Sequence, residues 1–411
     1  NTSWIPSTDQ RGAPRTAGEP ATIGAVELGA SLVVTTTADD GRGSLRRAIE
    51  TANSMGDGQT ITFDPAIDGM PITLATNLPN ITADVTLRGN DADKTIVLAH
   101  VDYYHLLVSN DVNARFEGIT FQGPEMLQHQ GGWSGSVRGN TGSVMTFESC
   151  VVKGAGVGYY NGGGVDTAGT LFMTDCEISG NRSQFGDGGG IAAEVLTLIG
   201  CTVSRNQGGS QGGGIAARTS ATLINCTVTG NVSRDPNSAG GVGSGDTLIM
   251  HGTIVSGNYL NDAGQTQAET AVSGAVYNGT GAVEDALGTH NIIGIPGNKT
   301  LADLKTIMDA EAADLNGQSY VMGKLQNNGS PTQTVMLAVG SPALDEIPIA
   351  AYNGFFTTLT APAPTTDRAA LPAPTHPTPI LLISARWKRS GLPVLPSPRP
   401  LPGWISGRRT P

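Results

Sequence analysis

The chain reads as an all-β protein, a right-handed parallel β-helix, and three repeating features of residues 143–258 predict it. All four cysteines lie there, at Cys150, Cys176, Cys201 and Cys226, spaced 26, 25 and 25 residues apart. An asparagine stands five residues after each of the last three, at Asn181, Asn206 and Asn231, and Asn258 continues the row. A glycine run recurs at Gly162-Gly163-Gly164, Gly188-Gly189-Gly190 and Gly212-Gly213-Gly214, then shortens to Gly240-Gly241. Such a period marks a solenoid, propeller or array.

The period decides among these. The copies VMTFESCVVKG, LFMTDCEISGN, LTLIGCTVSRN and ATLINCTVTGN alternate apolar and polar residues between Gly/Asn turns, as strands do. LIMHGTIVSGN comes next, with Thr253 in the cysteine place. No helical periodicity appears, which excludes helical repeats, and a propeller blade takes about 40 residues. About 25 residues suit one coil of three short strands. Successive coils stack about 4.8 Å apart, so equivalent residues form columns. Stacked asparagines can bond amide to amide, and glycines allow left-handed corners. The cysteine column is expected to be unbridged core thiols, since in-register strands give poor disulfide geometry; a disulfide or a metal site is the alternative.

Composition agrees. Of 411 residues 57 are glycine, 38% are apolar and 14% charged, which suits a turn-rich all-β chain with a large core. A net charge of −11 offers nothing to nucleic acid or another polyphosphate. No apolar run approaches the roughly 18 residues of a membrane span. The sequence starts at Asn1 without a signal peptide, so an export signal is expected outside it.

Taken in order, residues 1–28 are rich in Ser, Thr and Pro, and the β-helix unit is expected over 29–345. Ser44 is placed to N-cap a helix over 44–53 whose Leu45, Ala48, Ile49 and Ala52 form one apolar stripe. That helix is expected to cover the exposed end of the coil stack. Short alternating runs at 61–63, 72–74, 85–87 and 95–98 read as the first, less regular coils. Residues 120–140, with Trp133, read as a loop excursion. Regular coils occupy 143–258, and the pattern loosens over 261–290. The closing segment spans 301–345, opening on a short helix through Leu301, Leu304, Ile307 and Met308. Residues 346–367 are a linker. Residues 368–411 are a basic, proline-rich and disordered tail without Asp or Glu.

Three stretches carry a family resemblance. Gly43-Ser44-Leu45-Arg46-Arg47-Ala48-Ile49, followed by GDGQTITF, resembles the entry segment of CSLREA-type bacterial surface proteins, with Gly43 where that family has cysteine. The glycine-rich coils resemble the pectin-lyase-like superfamily and polymorphic outer-membrane proteins. LQNNGSPTQT at 325–334 and Gly340-Ser341-Pro342-Ala343-Leu344-Asp345 resemble the closing segment of choice-of-anchor β-helix proteins. The resemblance covers about residues 30–345 and implies a secreted or surface-displayed protein. Residues 7–27 resemble the stretch that comes after the closing segment in such a unit, which makes 1–28 the end of a preceding tandem unit. The same motif begins again at Thr366-Asp367 and fails. Read one base out of step, Leu382–Lys388 is compatible with Asp-Ile-Gly-Ala-Val-Glu, so 368–411 reads as an out-of-frame tail; the coding nucleotides check this.

Little in the sequence carries chemistry. GAGVG at 154–158 lacks the third fingerprint glycine, and GIPGNKT at 294–300 lacks the Gly-Lys pair of a phosphate loop. There is no His-Glu-x-x-His, no Cys-x-x-Cys and no nucleophile elbow. The first outward row of the coils is Val151, Glu177, Thr202 and Thr227, and the third is Lys153, Ser179, Ser204 and Thr229; these faces are Ser/Thr-rich rather than acidic. Asp166, Asp187 and Glu194 lie near the glycine corners and are the acids able to group, but their columns do not repeat. The expectation is therefore a non-catalytic adhesin or structural display rod on the cell surface, without cofactor, with no catalytic residue assigned. Its expected partners are surface polysaccharide, another cell's surface and further tandem units. The alternative is a polysaccharide lyase or glycoside hydrolase working in a groove along the helix, with calcium only in that case.

Overall fold

A computed structural model describes residues 31–100, 103–124, 136–235 and 238–262, with short segments at 133–134, 265–267, 276–278, 291–293, 310–312, 321–323, 325–328, 332–337 and 341. The fold is a parallel β-solenoid of about eight turns, with about 26 residues per turn. Three sheets of 13, 9 and 7 strands build the stack, the third beginning only at Trp133–Ser134. In each, a strand pairs with its equivalent one coil on. In the long sheet Phe116, Phe147, Met173, Leu198, Leu223 and Met250 are successive partners. In the second sheet the row is Phe121, Val152, Ile178, Val203, Val228 and Val255. Both rows face inward and are buried. Alternation alone fixes this register, because slipping one residue would turn each row outward.

The turns explain the repeated polar residues. Asn206 Nδ2 donates to Asn231 Oδ1 at 2.9 Å and to the Ile178 carbonyl at 3.0 Å, while its Oδ1 accepts from the Asn181 backbone N–H and amide. The same pattern joins Asn231 to Asn258, and all four asparagines are fully buried. Each amide oxygen takes a corner backbone N–H, and each amide nitrogen adds a bond to a carbonyl at the end of the second sheet. The glycine run serves the same corner. The first glycine has positive φ (60°, 63° and 64° at Gly162, Gly188 and Gly212). A Cβ on the second would meet backbone at 2.2 Å in Gly163, and on the third would press on the Asn181 amide at 3.0 Å. A further left-handed row, Ser149, Asp175, Gly200, Asn225 and Gly252, precedes the cysteine column. Small or amide residues tolerate that conformation best.

The cysteines are all free and buried, as unbridged thiols. Burial pushes the Cys176 and Cys226 thiols well up, so they pack as neutral small side chains. Ser44 caps the helix Leu45–Met55, accepting the Arg47 N–H, and Leu45, Ala48, Ile49 and Ala52 bury against the first coil. The helix runs two residues past the expected Asn53.

Two expectations need correction. Residues 120–140 are not one loop: Thr120–Gln122 and Val137–Gly139 are strands of the stack, and Trp133–Ser134 pairs antiparallel with Gly156–Val157. The Ser/Thr rows of the second sheet are not a display face. Glu177, Ser179, Thr202, Ser204 and Thr229 are buried, and Thr332 and Gln333 of the closing segment bond to Asp175 and Glu177 on that face. Residues 1–28, the helix expected at 301–308, the linker and the 368–411 tail lie outside the described residues.

Candidate functional site

The site forms where the long sheet breaks its repeat. In three consecutive coils the register slips: Thr167 and Thr170 flank two residues, Ala193 and Val195 flank one, and Ala217 and Ser220 flank two. Such a bulge bends a strand and re-aims its side chains. Here it turns Arg218 back along the stack. Its Nη2 donates to Asp166 Oδ1 at 2.9 Å and its Nη1 to the Thr167 carbonyl at 2.7 Å. The intervening coil has Ala192 opposite Asp166, small enough for the guanidinium to pass.

From the other side Arg138, the register partner of Asp166, donates Nη2 to Asp166 Oδ2 at 3.0 Å. Each carboxylate oxygen is thus taken by a different arginine. Burial pushes Asp166 up, opposed by both guanidiniums, and burial pulls Arg138 down, opposed by Asp166. The three side chains and Asn110, Asn140, Thr141 and Ala168 line an open pocket of about 340 Å³. Two guanidiniums against one carboxylate leave a surplus positive charge in a pocket of amide and hydroxyl groups.

One aromatic ring adjoins it. The Arg138 guanidinium lies 5.4 Å from the centroid of Tyr160, within cation–π range. Next to Tyr160, Tyr159 stacks on Phe185 of the following coil at 5.0 Å with rings 20° apart. These rings are 72%, 45% and 51% exposed at Tyr159, Tyr160 and Phe185. Exposed aromatics of this size cost solvation without contributing to the core.

The acids singled out from sequence do not converge. Asp166 lies in the pocket, clamped by two arginines. Asp187 accepts the Gln211 N–H at 3.0 Å in a corner, and Glu194 accepts the Thr219 hydroxyl. Among the described residues no group of three His, Cys, Asp or Glu side chains is placed to hold a metal. Sequence reasoning missed Arg138, Arg218 and the three rings. A signal did exist for two of them: Tyr159 and Phe185 both stand three residues before a glycine run. No family model, curated protein or solved structure matches the chain, so its class rests on its own architecture, a parallel β-solenoid.

Proposed function

We propose that this chain is a secreted or cell-surface β-helix that holds a surface polysaccharide without turning it over, as an adhesin or display rod. The observation that carries the reading is the pocket lined by two arginines, with the half-exposed Tyr160 ring against Arg138. Sugar rings present a C–H face to aromatics and hydroxyls to arginine and amide groups, and this arrangement offers both. The state of Asp166 supports binding over catalysis. Glycoside hydrolysis uses two carboxylates about 5–9.5 Å apart, whereas the pocket lining has one among the described residues, engaged at both oxygens. The resemblance of residues 43–49 and 325–345 to CSLREA and choice-of-anchor segments supports display outside the cell, with tandem units as neighbours.

The test is a screen of the full chain on neutral and acidic polysaccharides, with and without calcium. Binding and new ends are followed together, the ends as reducing sugar or unsaturated uronate. Binding without new ends is the expected result. Turnover abolished in Asp166→Asn would establish the lyase or hydrolase alternative instead.

A further inference from the structure

Two exposed rings belong neither to the core nor to the lining of the arginine pocket. Tyr159 and Phe185 each follow a strand of the third sheet by two residues, and those strands pair Val157 with Ser183. Equivalent positions of successive coils lie about 4.8 Å apart, which is why the rings stack at 5.0 Å. The backbone that carries them is tied from coil to coil. The Phe185 N–H donates to the Gly158 carbonyl at 3.0 Å. The Ser183 hydroxyl donates to the Tyr160 carbonyl at 2.7 Å and accepts the Gly186 N–H at 3.1 Å. The Asp187 N–H donates to the Asn161 side-chain oxygen at 2.8 Å. Counting on from Gln207, which pairs with Arg182, the next coil has Ser210 at this place, so the column of rings ends at Phe185.

We propose that Tyr159 and Phe185 form a second carbohydrate subsite, a platform on which one pyranose ring of a polysaccharide stacks. This rests on the reading of the chain as a polysaccharide binder and adds a contact that the arginine pocket does not make. The face of an aromatic ring carries partial negative charge, and the C–H bonds on one side of a pyranose present partial positive charge to it. Stacking on each other occupies one face of each ring. The rings are still 72% and 51% exposed, so apolar surface is left in water on a corner whose backbone is already fixed. A platform held in place before the ligand arrives loses little freedom on binding.

Size and charge select the occupant. With Tyr160, the exposed ring surface comes to about 300–400 Å², less than half of the roughly 800 Å² that each partner gives to a stable protein interface. The other large apolar side chains exposed among the described residues are Val33, Met70 and Met336, on the first coils and the closing segment, so the rings are not the centre of a wider apolar face. A sugar ring fits such an area. The neighbouring positions are polar as well: Gln184 and Ser210 are half-buried and Gln211 is exposed, which suits the hydroxyls at the edge of a stacked sugar. A nucleobase would fit the rings equally, but a chain of net charge −11 repels the phosphates that come with it.

The experiment runs the full chain in native gels holding laminarin, xyloglucan, galactomannan, alginate or polygalacturonate, and reads affinity from the retardation. Phe185→Ala and Tyr159→Ala are each expected to weaken binding about tenfold, the worth of one well-stacked ring, with the melting temperature unchanged. Phe185→Leu separates stacking from mere apolar cover: it keeps the bulk without the flat face and is expected to bind as weakly as Phe185→Ala. Phe185→Trp restores a flat face and is expected to bind as the wild type does. Ring variants that bind like the wild type in gels that retard it overturn the platform and leave the polysaccharide reading standing. A wild-type chain retarded by none of the five overturns that reading and the platform with it. A wild-type dimer in sedimentation that Phe185→Ala dissociates would assign the rings to contact between copies and also overturns the proposal.

Discussion

The asparagine corner and the bulged bend lie in the same coils and behave oppositely. At the corner Asn181, Asn206, Asn231 and Asn258 repeat without change, are fully buried and bond only to one another and to backbone. At the bend the charged residues do not repeat: Asp166 aligns with Arg138 on one side and Ala192 on the other, and Arg218 reaches over a whole coil. In a stack of near-identical coils, repetition makes structure and departure from repetition makes a site. A column of equal side chains can satisfy itself, whereas unlike neighbours leave charge and aromatic surface facing outward.

The contrast is broken most severely at the corner. Asn206→Ala removes four hydrogen bonds and strands the buried Asn181 N–H. A loss of about 4 kcal/mol is expected, at roughly 1 kcal/mol per bond with added cost for stranded groups. Chemical denaturation measures it. At the bend, Arg218→Ala is expected to weaken polysaccharide binding about tenfold, the worth of a charge-assisted hydrogen bond. Its melting temperature should scarcely move, because the guanidinium is partly solvated.

A third effect depends on pH. Burial, with the charge of Glu148 adding to it, drives Asp175 up to about 7. The folded chain then holds this proton more tightly than the unfolded chain, whose carboxyl titrates near pH 4. The stability it contributes is full below roughly pH 4 and is lost as pH rises through about 7. Burial of Glu177 acts in the same direction. The melting temperature is therefore expected to fall between pH 4 and pH 8, and Asp175→Asn to flatten that fall. Asparagine also suits the left-handed φ of 52° at this position.

The smallest effect sharpens the rule from the other side. Arg205 has a φ of 57° in a row where Gly154, Gly180, Gly230 and Gly257 occupy the equivalent corner. Arg205→Gly relieves about 1–2 kcal/mol of left-handed strain against about 0.5–1 kcal/mol of added chain entropy. A gain of about 0.5–1 kcal/mol in thermal unfolding is expected.

Legibility from sequence divides along the same line. The cysteine, asparagine and glycine ladders were visible because each coil restates them, and their period led to the fold with its capping helix. Arg138 and Arg218 were not visible. Each occurs once, and the coils joining them differ in length through the bulge, so no alignment of repeats brings the two together. The cover on Glu177 was hidden for another reason: 156 residues separate it from Gln333, and no local pattern reports a contact at that distance. The Ser/Thr rows were correctly placed outside the core, yet outside the core was not solvent.

The most direct test is one paired measurement, melting temperature and polysaccharide affinity for Asn206→Ala and Arg218→Ala side by side. The expected result is a crossed one: Asn206→Ala unfolds at lower temperature but binds normally while folded, and Arg218→Ala keeps its stability but loses binding. If Arg218→Ala instead destabilises the chain as Asn206→Ala does, or binds as well as the wild type, the bend is structural and the site assignment fails.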